Sequence, residues 1–228
     1  MATIKDKLQE TTTRIETCCA KAGRPVHSVT LLAVSKTFSA TDVREAHAAG
    51  ARRFGENYVQ EGLAKIEELA DLRADIEWHL IGPLQSNKTK LVAEAFDWVH
   101  SVDRLKTAER LSTQRPDSLP PLNVCIQVNI SGEASKSGAA PAEVPELARA
   151  VAALPRLKLR GLMAVPEAAP NLEDQRIPHR ALAQLQSELV AQGLALDTLS
   201  MGMSADLEAA ILEGATLVRV GTAIFGSR

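Results

Sequence analysis

The chain has 228 residues, of which 45% are hydrophobic and 24% are charged. This composition can bury one large core, so we expect a single domain that spans residues 1–228. Lysine and arginine total 26 against 28 aspartates and glutamates, which leaves no basic surface for nucleic acid and no charge run for a membrane surface. The expected partner is therefore a small molecule.

The N-terminal sequence is polar and lacks the apolar block of a signal peptide, and no stretch approaches the roughly 18 apolar residues of a membrane span. These features predict a cytoplasmic protein. The three cysteines agree with that location. Cys18 and Cys19 are adjacent, which is a poor geometry for a disulfide, and Cys125 lies in an apolar run. We expect all three to be buried, free thiols.

The first segment, residues 1–24, places Ile4, Leu8, Ile15 and Cys19 on one helical stripe. This spacing predicts an N-terminal helix that packs outside the main fold.

Eight strand-like apolar runs follow, separated by segments with helical periodicity. They are Val29–Ser35, Arg53–Glu56, Trp78–Ile81, Trp98–Val102, Val124–Ile130, Leu159–Val165, Thr198–Met201 and Leu217–Val220. Alternating strands and helices imply parallel strands joined by crossovers, and eight such units favour an α/β fold of the closed (β/α)8 TIM barrel type. An open, doubly wound sheet is the alternative.

Several helix boundaries carry recognisable signals. Ser39 with Asp42 three residues later resembles a capping box. Gly50, Gly193 and Gly214 each follow a helical pattern as C′ residues. The stretch 166–178 (PEAAPNLEDQRIP) is rich in proline and polar residues and is predicted to be a mobile loop after the sixth strand.

The run LLAVSKTFS (31–39) ends an apolar strand with a lysine. Lys36 is in phase with Leu32 and Val34, so all three are expected to point into the barrel. Working groups lie at the carboxyl ends of barrel strands, and a lysine that is desolvated there becomes neutral more easily and can attack a carbonyl. The alternative is a rim lysine that extends to water.

The end of the chain predicts a phosphate site. SMGMS (200–204) follows the seventh strand and RVGTAIFG (219–226) carries the eighth strand into a short helical turn. Barrels commonly bind phosphate with the loops after these two strands. Ser200, Ser204 and Thr222 offer hydroxyl groups, and Gly221 lets the backbone approach closely. Together with an inward lysine, these residues indicate a ligand with both an aldehyde and a phosphate.

Arg219 has the same inward parity on the eighth strand. A guanidinium only donates hydrogen bonds, so an arginine facing a pyridine nitrogen keeps that nitrogen unprotonated. Such a pyridine is a weaker electron sink. The alternative is an arginine paired with a carboxylate inside the barrel.

Other polar residues give weaker signals. Asn57 could bind a ring hydroxyl, and Tyr58 is predicted to pack or form a wall rather than act in catalysis. His79 and His100 lie in strands and are interpreted as core residues. Lys136 is an alternative reactive lysine in a small-residue loop, although a solvated position is favoured. The five histidines show no HxH or HExxH spacing, so we expect no metal site.

The motifs LLAVSKT, FGENYVQE, WHLIGPLQSNK, SMGMSADLEAAI and VRVGTAIFG occur in this order between about Val29 and Gly226. In sequence and separation they closely resemble the pyridoxal phosphate homeostasis proteins. The resemblance implies a barrel like the N-terminal domain of alanine racemase, with pyridoxal 5′-phosphate (PLP) as cofactor.

By the same resemblance, Lys36 would form the Schiff base, Asn57 would lie beside the ring and Arg219 would face the ring nitrogen. Four residues would hold the phosphate: Ser200, Ser204, Gly221 and Thr222. Three would form the pocket wall: Val34, Ile81 and Met203.

The resemblance implies a carrier that binds PLP reversibly and buffers or delivers it, with transient contacts to PLP-dependent enzymes. A small amino-acid racemase and a Schiff-base aldolase are the alternatives. Racemisation needs a second base, which alanine racemase takes from a tyrosine of the partner subunit, whereas this chain has only Tyr58. We therefore expect a non-enzymatic, monomeric protein.

Overall fold

The computed structural model describes residues 2–132 and 137–226. Within these ranges, eight parallel strands form a closed barrel in chain order, and the last strand pairs with the first. This confirms the predicted (β/α)8 barrel over the open sheet. The strands are β1 (Thr30–Val34), β2 (Arg53–Glu56), β3 (Glu77–Leu80), β4 (Trp98–Val102), β5 (Leu122–Gln127), β6 (Leu157–Met163), β7 (Thr198–Ser200) and β8 (Leu217–Val220).

Helices surround the barrel. They are α1 (Ile4–Lys21), α2 (Ala40–Ala48), α3 (Val59–Glu68), α4 (Thr89–Ala95), α5 (Leu105–Gln114), α6 (Val144–Ala152), α7 (Leu172–Ala191), α8 (Leu207–Leu212) and α9 (Thr222–Phe225). The predicted N-terminal helix is α1, which precedes the barrel and packs against α2, α8 and α9. In the part of the chain that the structure describes, no helix is long and apolar enough to cross a membrane.

The strand predictions hold with small shifts at their ends. β5 begins at Leu122 and β6 at Leu157, each two residues earlier than predicted. Asn123 and Lys158 interrupt the apolar runs, but they pair with each other across the two strands. Polar side chains near the start of a strand interrupt its apolar pattern, so a prediction based on hydrophobicity places the start of the strand too late.

The predicted helix ends are confirmed. The Ser39 hydroxyl accepts a hydrogen bond from the Asp42 amide, and the Asp42 carboxylate accepts one from the Ser39 amide at 2.8 Å. Gly50, Gly193 and Gly214 have φ values of 110°, 97° and 98°, and each lies just beyond a helix. Glycine adopts this left-handed backbone at little cost.

The predicted loop at 166–178 is wrong for its second half, because α7 begins at Leu172. The Asn171 side chain caps the helix by accepting a hydrogen bond from the Asp174 amide at 2.9 Å. Pro178 lies inside the helix, where a proline normally costs stability. The face of α7 that contains His179 and Leu182 is nevertheless buried. Tertiary packing therefore outweighs the local preference of the proline.

The barrel wall separates two environments. Ala33 belongs to the large apolar core between strands and helices, whereas Leu32 and Val34 alternate with it and face the barrel interior. Inside the barrel, Trp98 packs with Cys125 in a smaller cluster.

All three cysteines are buried and unpaired, as predicted. Polar side chains are also buried in the interior, among them His79, His100, Ser200 and Arg219.

Candidate functional site

Lys36 lies two residues beyond the end of β1, in phase with the inward-facing Leu32 and Val34. Its side chain is exposed, so the expected desolvation of this lysine is wrong. Since the strand ends at Val34, Lys36 reaches the open carboxyl end of the barrel rather than its packed interior. The amine is therefore accessible to a ligand that enters from solvent.

A buried ionic cluster holds the backbone just before Lys36. The Ser35 hydroxyl donates to Glu56 Oε1 at 2.6 Å. Lys65 Nζ donates to the Ser35 carbonyl at 2.7 Å and to Glu56 Oε1 at 2.8 Å. Burial raises the pKa of Glu56, and the hydrogen bonds and charge of Lys65 oppose this shift. The cluster thus fixes Ser35 between β1 and β2.

The same cluster holds the residue after Lys36. Thr37 has a φ of 68°, a left-handed conformation that is uncommon for a residue other than glycine. Its amide donates to the Glu61 carboxylate, which also accepts from Lys65 Nζ at 2.7 Å. The chain is therefore anchored on both sides of Lys36, which limits the positions its side chain can take.

Asn57 directly follows β2 and is half-buried. Its backbone passes so close to Gly82 that a Cβ atom at position 82 would lie 2.1 Å from the Asn57 carbonyl oxygen. Only glycine permits this approach. Gly82 lies within the motif WHLIGPLQSNK, but the sequence of this motif does not by itself predict that Gly82 allows Asn57 to approach. Tyr58 is 60% exposed and lines a cavity of about 460 Å³ with Asn57.

Arg219 is 4% exposed, on the interior side of β8. Nη1 donates to the Ser200 carbonyl at 2.5 Å and to the Ser200 hydroxyl at 2.8 Å, and Nη2 donates to the Ala164 carbonyl at 2.8 Å. Burial lowers the pKa of Arg219 to about 10, which leaves it charged at neutral pH. Within the described residues, the hydrogen-bond acceptors of Arg219 are carbonyl and hydroxyl groups. The alternative of an arginine paired with a carboxylate is therefore wrong.

Behind Arg219, a line of polar side chains continues through the interior. Ser200 Oγ lies 2.8 Å from His100 Nδ1, and His100 Nε2 lies 2.8 Å from His79 Nδ1. His79 Nε2 lies 3.0 Å from Glu77 Oε1. Burial lowers the pKa of both histidines, so both rings are neutral at pH 7. They are hydrogen-bonded core residues, in agreement with the sequence-based interpretation.

The loop after β7 is held from two directions. Arg14 of α1 donates to the Ser204 carbonyl at 2.8 Å. The Met203 amide donates to Asp206 Oδ1 at 2.7 Å, and Asp206 Oδ2 lies 3.0 Å from His179 Nε2. Burial would raise the pKa of Asp206, but the hydrogen bonds from His179 and Met203 hold it below its ordinary value. Sequence motifs do not reveal the support from Arg14 and His179, because these residues come from helices that are distant in the sequence.

Gly221 and Thr222 begin the turn that follows β8. A Cβ atom at Gly221 would lie 3.1 Å from the Val34 carbonyl oxygen, which ties this turn closely to β1. The first amides of α9 have no partner within the helix. Phe225 of α9 stacks on Phe38, with 5.0 Å between the ring centroids. The turn and the segment after Lys36 are therefore packed together.

Strands β7, β8, β1, β2 and β3 are consecutive neighbours, so their carboxyl ends form one arc of the barrel mouth. The predicted site residues follow these ends, with Arg219 buried below them. Of the predicted wall residues, Val34 is buried, Ile81 is half-buried and Met203 is 38% exposed. The alternative lysine, Lys136, lies outside the described residues. The arc brings together an accessible amine, a buried cation and the hydroxyls and amides of two loops.

Comparison with known proteins identifies this type of barrel. The family model for the alanine racemase N-terminal domain matches residues 7–228. PipY of Synechococcus elongatus, solved without PLP, is 39% identical with a TM-score of 0.88 over 98% of this chain and 100% of PipY. PipY solved with PLP bound is 38% identical with a TM-score of 0.84 over the same shares of both chains.

A closer match comes from the pyridoxal phosphate homeostasis protein of Pseudomonas aeruginosa. It is 61% identical over 228 residues, which cover 100% of this chain and 97% of that protein. The chain belongs to the pyridoxal phosphate homeostasis protein family.

The buried cluster below Lys36 predicts the effect of removing Lys65. Its side chain is 6% exposed and that of Glu56 is fully buried, so Lys65→Ala would leave a buried carboxylate without its cation. We expect the free energy of unfolding to fall by about 3–5 kcal/mol, measured by urea denaturation. Lys90→Ala is the control, because Lys90 is 70% exposed and pairs with Glu94 at 3.8 Å; its effect should stay within about 0.5 kcal/mol. Equal unfolding midpoints for the two variants would show that Lys65 does not stabilise the cluster.

The buried, neutral histidines predict a pH dependence of stability. Below about pH 6.5, the ordinary value for histidine, the unfolded chain takes up protons on His79 and His100 that the folded chain does not. The free energy of unfolding should therefore decrease from pH 7 to pH 5.5, by at most about 1.4 kcal/mol per pH unit for each proton. Denaturation at several pH values measures this slope. His27→Gln, at an exposed residue, should keep it, and a flat profile in the wild type would rule out the neutral pair.

Proposed function

We propose that the protein binds PLP as a Schiff base with Lys36 and acts as a non-catalytic carrier that stores and releases it. The observation that carries the proposal is the arrangement of the arc, with an exposed, anchored lysine above a buried arginine. The relative from Pseudomonas aeruginosa and the PLP-bound PipY support it through their similarity to this chain. The whole chain, 1–228, is proposed as one PLP-binding domain.

The donor groups of the arc fit the cofactor. An accessible amine on Lys36 can condense with an aldehyde and release water. The Arg219 contacts described above leave its Nε–H and one Nη2 hydrogen for another acceptor, and a pyridine nitrogen accepts such hydrogen bonds. Asn57 would lie beside the ring and donate to or accept from its hydroxyl.

The phosphate would be held by the loops after β7 and β8. Ser204, Gly221 and Thr222 contribute hydroxyls and first-turn amides, which suit a phosphate group. Ser200 is predicted to join them, and that role stays a prediction, since its buried hydroxyl is engaged by His100 and Arg219. The side chains of Val34, Ile81 and Met203 would border the cofactor.

The proposal of a carrier rather than an enzyme rests on the residues beside the ring. When bound, PLP can stabilise a carbanion at a substrate carbon, and it does so less when its nitrogen stays unprotonated beside an arginine. A racemase also needs a second proton donor. Tyr58, the chain's one tyrosine, is the residue before α3 and is 60% exposed. Monomeric state, a cytoplasmic location and transient contact with recipient enzymes stay predictions.

The first test is the visible absorbance of the protein after addition of PLP, followed by borohydride reduction and peptide mapping. Wild type and Lys88→Ala should show a visible band and carry the reduced label on Lys36, because Lys88 borders the adjacent cavity without a role in the proposed site. Lys36→Ala should lose the band. No PLP uptake by the wild type would sink the proposal, and a label on Lys136 would move the Schiff base there.

The second test separates a carrier from an enzyme. The PLP-loaded protein is incubated with individual amino acids in deuterated water, and exchange of the α-proton is followed by NMR. We expect no exchange above that of free PLP, because the site offers a weakened electron sink and no enclosed second base. Rapid exchange with any amino acid that disappears in Lys36→Ala would show that the protein is an enzyme.

A further inference from the structure

The interior line of polar side chains crosses most of the barrel. It starts at Glu77, the first residue of β3, and passes through His79, His100 and Ser200 to Arg219. The buried part of the line ends at His79, and Glu77 beyond it has a side chain that is 38% exposed. There it opens into a cavity of about 300 Å³ at the amino-terminal end of the barrel. The line therefore connects the floor of the barrel to the arginine below the proposed site.

The two ends of the line fix the direction of its hydrogen bonds. Arg219 can only donate, and an ionised Glu77 can only accept. The Ser200 hydroxyl accepts from Arg219 and has one hydrogen, which it can give to His100 Nδ1. His100 then carries its hydrogen on Nε2 and donates to His79 Nδ1. His79 carries its hydrogen on Nε2 and donates to Glu77, so every contact in the line is satisfied with both rings neutral.

The opposite order does not fit these ends. If His100 donated from Nδ1, His79 would donate from Nδ1 to His100 and present the lone pair of its Nε2 to the Glu77 carboxylate. That contact would need an additional proton. A protonated His79 would be a fully buried cation, and desolvation disfavours such a charge. The lowered pKa values of both histidines agree with the neutral order.

We propose that Glu77 is a positioning residue for Arg219, and that it acts from the opposite end of the barrel by setting the hydrogen-bond order of the line. With the Glu77 carboxylate as terminal acceptor, the hydrogen of Ser200 is committed to His100 and its lone pairs face Arg219. The guanidinium then keeps a fixed acceptor beneath it. The inference rests on the proposed function, in which Arg219 donates to the ring of PLP.

The substitution Glu77→Met tests this order because the two side chains have similar length and methionine lacks the carboxylate. Methionine cannot hold the hydrogen of His79 on Nε2 by accepting it, so both rings can instead carry their hydrogen on Nδ1. Ser200 would then accept from His100 as well as from Arg219, and its own hydrogen would need a new acceptor. Replacing Glu77 at the amino-terminal end of the barrel would therefore alter the hydrogen bond between Arg219 and Ser200 near the carboxyl end.

Other charged or titratable groups surround the line, and they determine the choice of control. Arg53 Nε lies 3.1 Å from Glu77 Oε1, and Arg160 lies over the Trp98 ring at 4.7 Å. Asp197 pairs with Arg160 at 2.8 Å and lines the same floor cavity. Further charged or titratable neighbours are Asp97, which influences His79, and Asp206 and Cys125, which influence Arg219. Asp197→Asn removes a floor carboxylate that does not contact either ring, so it is the matched control.

The first measurement uses the protein without PLP. Long-range ¹⁵N–¹H NMR of histidine-labelled protein at pH 7.5 reports which ring nitrogen carries hydrogen. Wild type and Asp197→Asn should show the hydrogen on Nε2 of both His79 and His100, whereas Glu77→Met should show a population with the hydrogen on Nδ1. An Nδ1 hydrogen or a charged ring in the wild type, or an unchanged pattern in Glu77→Met, would overturn the proposal.

The second measurement asks whether Arg219 responds. The Nη1 hydrogens of Arg219 donate to Ser200. Their solvent exchange, also measured without PLP, should become about tenfold faster in Glu77→Met and stay unchanged in Asp197→Asn, since a hydrogen bond to a charged group is worth about 1.5 kcal/mol or more. Unchanged exchange would show that the line orders the rings but does not position Arg219. PLP binding should weaken by a similar factor in Glu77→Met. If the wild type does not bind PLP, the proposed function fails while the two NMR results still decide the hydrogen-bond order.

Discussion

A buried guanidinium needs acceptors in several directions, and the interior of this barrel is arranged to supply them to Arg219. The carbonyl groups of Ala164 and Ser200 and the Ser200 hydroxyl come from the ends of β6 and β7, and His100 supports that hydroxyl from β4. Because side chains alternate along a strand, a shift of one residue in β8 would turn Arg219 into the apolar layer beneath the helices. The buried charge therefore penalises wrong registers that hydrophobic burial alone would tolerate.

A second buried cation, Lys65, has a different role outside the barrel wall. It joins Glu56 and Glu61 to the backbone around Ser35, so its contacts fix the path of the chain rather than a side chain. The two cations have separate roles in the candidate site. Arg219 would lie beneath a bound ligand, whereas Lys65 fixes the backbone that carries Lys36. Both cations depend on these acceptors, because a buried charge without them would be desolvated without compensation.

The fold and much of the candidate site follow from local patterns. Strand periodicity and the capping signals around Ser39 predict the barrel, and inward parity along β1 and β8 places Lys36 at the mouth and Arg219 inside. The supporting contacts are different, because they join residues that only the three-dimensional register brings together. His79 and His100 each look like isolated strand histidines, although their inward parity on neighbouring strands is a signal that they could meet. The helix that begins at Leu172 escapes prediction for a related reason, since the packing that stabilises it does not appear in the local sequence.

The closure of the barrel joins an early strand to a late one, since β1 pairs with β8 along Thr30–Ala33, and the candidate site lies across this seam. During synthesis, a chain that has emerged only as far as β7 already carries Lys36 but lacks Arg219 and the turn at Gly221. Contacts between distant parts of a chain form late, because a large loop must close before they contribute stability. Completion of the site thus coincides with completion of the fold. A ligand that needs contacts from both sides of the seam would therefore find its full set of partners only on the finished molecule.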